Sequence, residues 1–353
     1  MDKRSNFYFF LPSQSEDTFM ALKLDIKIFN SSLIPLDFEM GLSREITAVQ
    51  IFICSRIKGL DPRWELVKWD MQYLAEQMYP NSSKDFIDAA VKFLLHSFEL
   101  DDLYLENLKG QRRNEVCFAC IDALDKFLDG YTTAQFPKTE SEIDRVVDTV
   151  KTKYKSDLYV VKTLQSMFNS CLAMLPILES VEDRRSYLPD MIESWKLTLE
   201  GIRIEQIFSG EKARIPTKKE YWQYRVLGSA GGLHLVKLCY CIDGDYSKKK
   251  GIRAKVRQLE ELICYQLAVQ NDLVSLKKDL KNNHNLNWVM ICKKDIKKAE
   301  ADYHQATRKI KAWPTGSFET VVVALKDVGL GCSRWQSRAM RYSRLMQLFC
   351  YQT

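Results

Sequence analysis

Three features of the 353-residue chain point to an all-α protein folded as one domain. Its apolar residues recur at helical spacing over long stretches. Strand-like alternation is confined to short runs such as Thr320-Val321-Val322-Val323, and no linker rich in Gly, Ser or Pro divides the sequence. In Phe86-Ile87-Asp88-Ala89-Ala90-Val91-Lys92-Phe93-Leu94-Leu95-His96-Ser97-Phe98 the apolar positions fall three and four apart, as on a helix that faces a core. The same period runs through Leu158 to Leu175 and Val256 to Leu276. Pro62, Pro80, Pro137, Pro189, Pro216 and Pro314 stand between these stretches and read as helix starts or turns. One domain over 1–353 is expected, with the less regular residues 1–35 as an N-terminal strap.

Composition excludes several classes. A formal charge of +6 is mild for this length, and the runs Lys248-Lys249-Lys250, Lys293-Lys294 and Lys297-Lys298 are short, so a nucleic-acid partner is not expected. No uncharged stretch approaches the ~18 residues of a membrane span. The ten cysteines are scattered and no signal peptide precedes them, which predicts a reduced, cytoplasmic protein. Cys117-Phe118-Ala119-Cys120 is a lone pair without nearby His, so ordinary core is expected there. The four histidines show no ligand spacing.

Four constellations carry chemistry. An apolar helix runs into Glu99-Leu100-Asp101-Asp102-Leu103-Tyr104-Leu105-Glu106. Asp102 and Glu106 lie one helical turn apart, with Asp101 about 100° round from Asp102. Such packed carboxylates suit a hard cation like Mg²⁺; an exposed acidic helix end is the plain alternative. In Gln270-Asn271-Asp272-Leu273-Val274-Ser275-Leu276-Lys277-Lys278-Asp279, the residues Asn271, Ser275 and Asp279 step by four. They offer an amide oxygen, a hydroxyl and a carboxylate on one helix face, enough for one ion, with Lys278 beside them as a cation for the same anion. A polar, solvent-facing stripe is the alternative, but the residues before it (Leu262 to Val269) are apolar.

The third begins at Pro216, passes Glu220, Tyr221 and Arg225, and reaches Gly228-Ser229-Ala230-Gly231-Gly232. Glycine costs about 1 kcal/mol inside a helix, so the helix should break or kink just after Arg225. Arg225 would then be placed to grip a phosphate bidentately. The fourth is Trp335 to Tyr342, where adjacent Arg341 and Tyr342 present donors to an anion, although an arginine-rich terminal helix is also an ordinary surface feature.

Together these motifs resemble those of class I terpene synthases, from about residue 60 to 345. Asp101-Asp102 with Glu106 resembles the family's aspartate-rich motif. Asn271, Ser275 and Asp279 resemble its second metal motif, N-D-x-x-S-x-x-x-E, with Asp279 one methylene shorter than the usual Glu. Arg225 precedes Asn271 by 46 positions, the family's separation for the arginine that senses diphosphate. Arg341-Tyr342 resembles its terminal Arg-Tyr pair. The long gap between the two metal motifs suggests an insertion near residues 107–160. The chain is most similar to the single-domain, non-plant branch that includes microbial and coral-type enzymes.

The resemblance implies a helical bundle around a central apolar cavity and a cyclase that ionises a linear isoprenyl diphosphate. Three Mg²⁺ ions are implied: Asp101 (with Asp102 and Glu106) on one side, and Asn271, Ser275 and Asp279 around the third ion. Arg225, Lys278, Arg341 and Tyr342 would donate to the diphosphate. A carbonyl at Gly228 or Ser229 would face the nascent cation, and Phe98 and Trp335 are candidate pocket walls, with plain core packing the alternative for each. The coral-type likeness favours geranylgeranyl diphosphate, with farnesyl diphosphate the alternative. A homodimer is compatible with this branch. A chain-elongating prenyltransferase should carry a second aspartate-rich motif, and a non-catalytic helical interaction protein should have lost ligands; neither holds here.

Overall fold

The computed structural model describes residues 71–98, 110–133, 135–154, 158–179, 188–209, 213–229, 232–238, 252–316 and 319–338. Asp101, Asp102, Glu106, Arg341, Tyr342 and the expected strap lie outside them. So do Pro62, the Lys248 run and the side chain of Phe98. Among the described residues there is no strand beyond an isolated bridge between Ser209 and His284. None of their helices is long and apolar enough to cross a membrane.

After helical residues 71–78 come α1 (Lys84–Phe98), α2 (Gly110–Thr132), α3 (Phe136–Lys153), α4 (Leu158–Glu179) and α5 (Leu188–Glu205). A 3₁₀ turn, Gln206–Phe208, ends α5. The short α6 (Lys218–Glu220) then opens into a π-helical segment, Tyr221–Ser229, followed by α7 (Leu233–Lys237). The long α8 (Ile252–Lys281), the four-residue α9 (Trp288–Ile291), α10 (Ile296–Lys311) and α11 (Glu319–Arg338) complete the order.

Burial follows the helical period. On α1, Phe86, Ala90, Phe93 and Leu94 are buried; on α8, Val256, Leu259, Ile263, Cys264 and Leu267 are. These side chains belong to one continuous core that takes in Trp195, Phe208, Tyr221 and Trp335. Phe93, Trp195 and His234 pack in mutual contact within it, with ring centroids 4.7–5.1 Å apart. Among the described residues, expected prolines sit at joints, as Pro137 in the first turn of α3 and Pro216 just before the Thr217 cap of α6 show. Pro176 is an exception, lying inside α4.

Two local expectations change. Thr320–Val323 is helical, because Val321, Leu325 and Val328 continue one buried stripe of α11 and tertiary packing overrides the β-branched run. The break expected just after Arg225 is instead a widened helix that starts earlier, at Tyr221, and runs through Ser229. Gly228 serves packing there. A Cβ on it would lie 3.2 Å from the Cα of Gly201, and one on Gly201 would lie 2.7 Å from the carbonyl oxygen of Tyr224. The two glycines let the π segment press backbone to backbone on α5, the most extensive helix contact among the described elements.

Candidate active site

The π segment, the end of α5, α8 and the turn after α8 converge on Asp272. This carboxylate is fully buried and saturated with donors. Its Oδ1 accepts from Arg225 Nε at 2.9 Å and Arg225 Nη2 at 2.7 Å. Its Oδ2 accepts from the Tyr221 hydroxyl at 2.8 Å and the Trp288 amide at 2.6 Å. Tyr221 and Arg225 are four apart on the widened helix, so both reach the same carboxylate. A π bulge re-aims side chains in this way, which is why such segments recur at functional sites.

Arg225 is the electrostatic centre of the site. Only 7% exposed, it also donates through Nη2 to Asn271 Oδ1 at 2.9 Å and lies 3.6 Å from a Glu205 carboxylate oxygen. Burial by itself would push the guanidinium down. Asp272, Glu205 and Asp279 outweigh it, so Arg225 is held charged beyond the ordinary arginine range. A permanently cationic, planar donor thus stands beside the residue expected to begin the second metal motif.

That motif is assembled on one face of α8. Ser275 Oγ donates to Asp279 Oδ2 at 2.7 Å, and Asn287 Nδ2 donates to the same oxygen at 2.8 Å. His284 spans Glu205 and Asp279: Nε2 is 3.0 Å from Glu205 Oε1, and Nδ1 is 3.8 Å from Asp279 Oδ1. Burial lowers the His284 pKa, but these two carboxylates reverse that and favour its charged form. The turn holding His284 is stitched to the end of α5 by the Asn285 amide, which donates to the Phe208 carbonyl at 2.9 Å. Among the described residues the cluster therefore pairs Arg225 and His284 with Glu205, Asp272 and Asp279.

The structure brings Arg225, Asn271, Ser275 and Asp279 together: the step of four puts the last three on one face, and the family resemblance implies Arg225 beside them. Lys278 is half-buried on the same helix. Trp335 is 1% exposed within the core of α11. The Gly228 carbonyl, expected to be presented to a ligand, accepts from the Thr198 hydroxyl at 3.3 Å, and Thr198 in turn meets His234 Nδ1 at 2.9 Å. Cys117 and Cys120 are buried free thiols on α2. Sequence reasoning assigned no role to Tyr221, Asp272, Glu205, His284 or Asn287. Asp272 was within reach as the second letter of the N-D-x-x-S-x-x-x-E pattern, and Tyr221 lay in the lead-in to Arg225. The other three come from a helix end and a turn, where no spacing announces them.

The family model for terpene synthase family 2, C-terminal metal binding, matches residues 92–313, a span that holds the whole cluster. The chain belongs to that family. It is therefore a metal-binding terpene synthase, an enzyme of the terpene cyclase class. A solved single-substitution variant of cucumene synthase is similar in fold: 13% identical, with a TM-score of 0.51, covering 85% of this chain and 96% of its own. That likeness supports the all-α class I terpenoid synthase fold. No curated protein sequence matches.

Proposed function

We propose that this terpene cyclase ionises a linear isoprenyl diphosphate with Mg²⁺ and closes the resulting carbocation into rings, releasing diphosphate. The observation that carries the reading is the buried Arg225, bonded at once to Asn271 and Asp272. It couples a fixed cation to the first expected ligand of the second metal motif.

The donors on α8 fit a hard divalent cation. Asn271, Ser275 and Asp279 present only oxygen, stand on one helix face and are anchored by hydrogen bonds to neighbours. These three would hold one ion, and Asp101, Asp102 and Glu106 would hold two more. When bound, Mg²⁺ neutralises the charge that builds on the departing diphosphate. Arg225 would add its guanidinium to the same oxygens, joined by Lys278, Arg341 and Tyr342. Asp272 would hold that guanidinium in one orientation, so that its charge is preorganised and not recruited from solvent. Burial of Arg225, Asp272 and Asp279 supports a water-poor site, which protects an allylic cation from hydrolysis. Ser229 would face the hydrocarbon in place of Gly228, whose carbonyl is taken by Thr198, and Phe98 and Trp335 would contribute to its walls. In this reading the substrate is geranylgeranyl diphosphate, on the motif likeness to coral-type enzymes, with farnesyl diphosphate the alternative.

The test incubates purified protein with C10, C15, C20 and C25 diphosphates, with Mg²⁺ or EDTA, and analyses extracts by gas chromatography–mass spectrometry. A magnesium-dependent cyclic terpene from the C20 substrate is expected. No such product from any substrate would overturn the reading. Asn271→Ala and Asp101→Ala should each abolish turnover while leaving the far-UV circular dichroism spectrum intact.

A further inference from the structure

Asn287 is wholly buried in the turn after α8, and its side chain makes three bonds at once. Nδ2 donates to the Asp279 carboxylate at 2.8 Å and to the backbone carbonyl of Asp272 at 3.0 Å. Oδ1 accepts from the Val289 amide at 2.8 Å, capping α9. The next residue, Trp288, gives its own amide to the Asp272 carboxylate at 2.6 Å. Two consecutive residues therefore grip α8 at Asp272 and at Asp279, two helical turns apart.

An exposed cap would need only Oδ1. Here both amide hydrogens are committed to the metal-motif helix, and one of them is aimed at Asp279 Oδ2, the oxygen Ser275 also engages. A short aspartate has little reach of its own, so its carboxylate must be held where it is to be used. A carboxylate bonded through one oxygen has a fixed plane and a defined direction for the other.

We infer that Asn287 is a positioning residue for the metal: its amide orients the Asp279 carboxylate and thereby sets the affinity of the α8 site for Mg²⁺. This inference rests on the reading of Asn271, Ser275 and Asp279 as metal ligands.

The test separates positioning from capping. Asn287→Ser keeps a good helix cap but is too short to reach Asp279. Asn287→Thr also keeps a helix cap, fills more of the volume, and has no amide to donate to Asp279. Each variant and the wild type are titrated with Mg²⁺ in the presence of inorganic pyrophosphate, reading the thermal-unfolding midpoint, and the Mg²⁺ dependence of turnover is measured separately. For the wild type a Mg²⁺-dependent pyrophosphate shift is expected. For either folded variant the half-saturating Mg²⁺ concentration should rise ~10–100-fold in both readouts, and excess Mg²⁺ should recover most of the turnover. A purely structural role would lower the midpoint without moving the Mg²⁺ concentration, and that result overturns the inference. A wild type with no Mg²⁺-dependent shift would instead overturn the metal reading of α8 itself.

Discussion

Replacing Asp272 by Asn tests whether the buried cluster is organised around this one carboxylate. The substitution keeps the side-chain volume, so no cavity is opened. It removes the charge opposite Arg225, whose next carboxylate, Glu205, stands 3.6 Å away. It also leaves one oxygen where two had served four donors: Arg225 Nε and Nη2 on one side, Tyr221 and Trp288 on the other. Whichever way the amide turns, a buried donor loses its acceptor. Breaking a buried ion pair from one side costs about 3–5 kcal/mol, a large share of the roughly 5–15 kcal/mol that holds a folded domain together. Tyr221→Phe removes a single bond from the same carboxylate and should cost less, about 1.5–3 kcal/mol. Urea unfolding followed by far-UV circular dichroism measures both. Replacing Arg225 and Asp272 together by Leu should recover part of the loss, because no guanidinium is then buried without Asp272 and Glu205 keeps His284 as its partner. If Asp272→Asn unfolds within about 0.5 kcal/mol of wild type, less than half the loss of one ordinary buried hydrogen bond, the pair is not what holds the π segment to α8.

Three further outcomes follow from other parts of the structure. Gly201→Ala would place a Cβ 2.7 Å from the Tyr224 carbonyl and 2.9 Å from the Ser229 amide nitrogen, both backbone atoms; it should cost about 1–3 kcal/mol despite alanine's better helix propensity and depress turnover by shifting Arg225, and an unchanged melting temperature would contradict the close approach. Glu260 is buried on α8, and burial, with Glu261 and Asp190 adding and Lys237 opposing, lifts its carboxyl from 4.5 to about 7. The folded state then holds a proton the unfolded state gives up, so stability falls as pH rises from 4.5 through 7, by up to about 3 kcal/mol. His234 runs the other way, since burial lowers it to about 3 and it favours folding above 6.5. Glu260→Gln should therefore gain little over wild type in melting temperature at pH 5 and clearly more at pH 8; an equal gain at both would show that Glu260 is not titrating. Chelation by EDTA should abolish turnover and added Mg²⁺ should restore it, read as terpene product by gas chromatography.

What could be read in advance divides along a physical line. Helices were legible because burying one face imposes a period on the sequence, as Phe86, Ala90, Phe93 and Leu94 show on α1. The proposed α8 ligand set was legible for the same reason: to serve one ion, Asn271, Ser275 and Asp279 must share a face, and a helix permits that only at steps of three or four. Arg225 was legible only through the family resemblance, which sets its separation from Asn271. The residues that hold these groups in place were not. Glu205 closes a helix, while His284 and Asn287 sit in a turn, and they meet the site only because the chain doubles back along α5 and α8. Their partners lie at distances along the sequence that no local rule fixes. Gly228 shows the same limit from the other side. Its identity suggested a break, and a break and a close helix contact both require glycine; only Gly201, 27 residues earlier and pressed against it, distinguishes them. The widening from Tyr221 to Ser229 likewise has no signature in the residues themselves. It is what lets Tyr221 and Arg225 reach a single carboxylate on α8, so its cause lies across the helix interface, in Asp272.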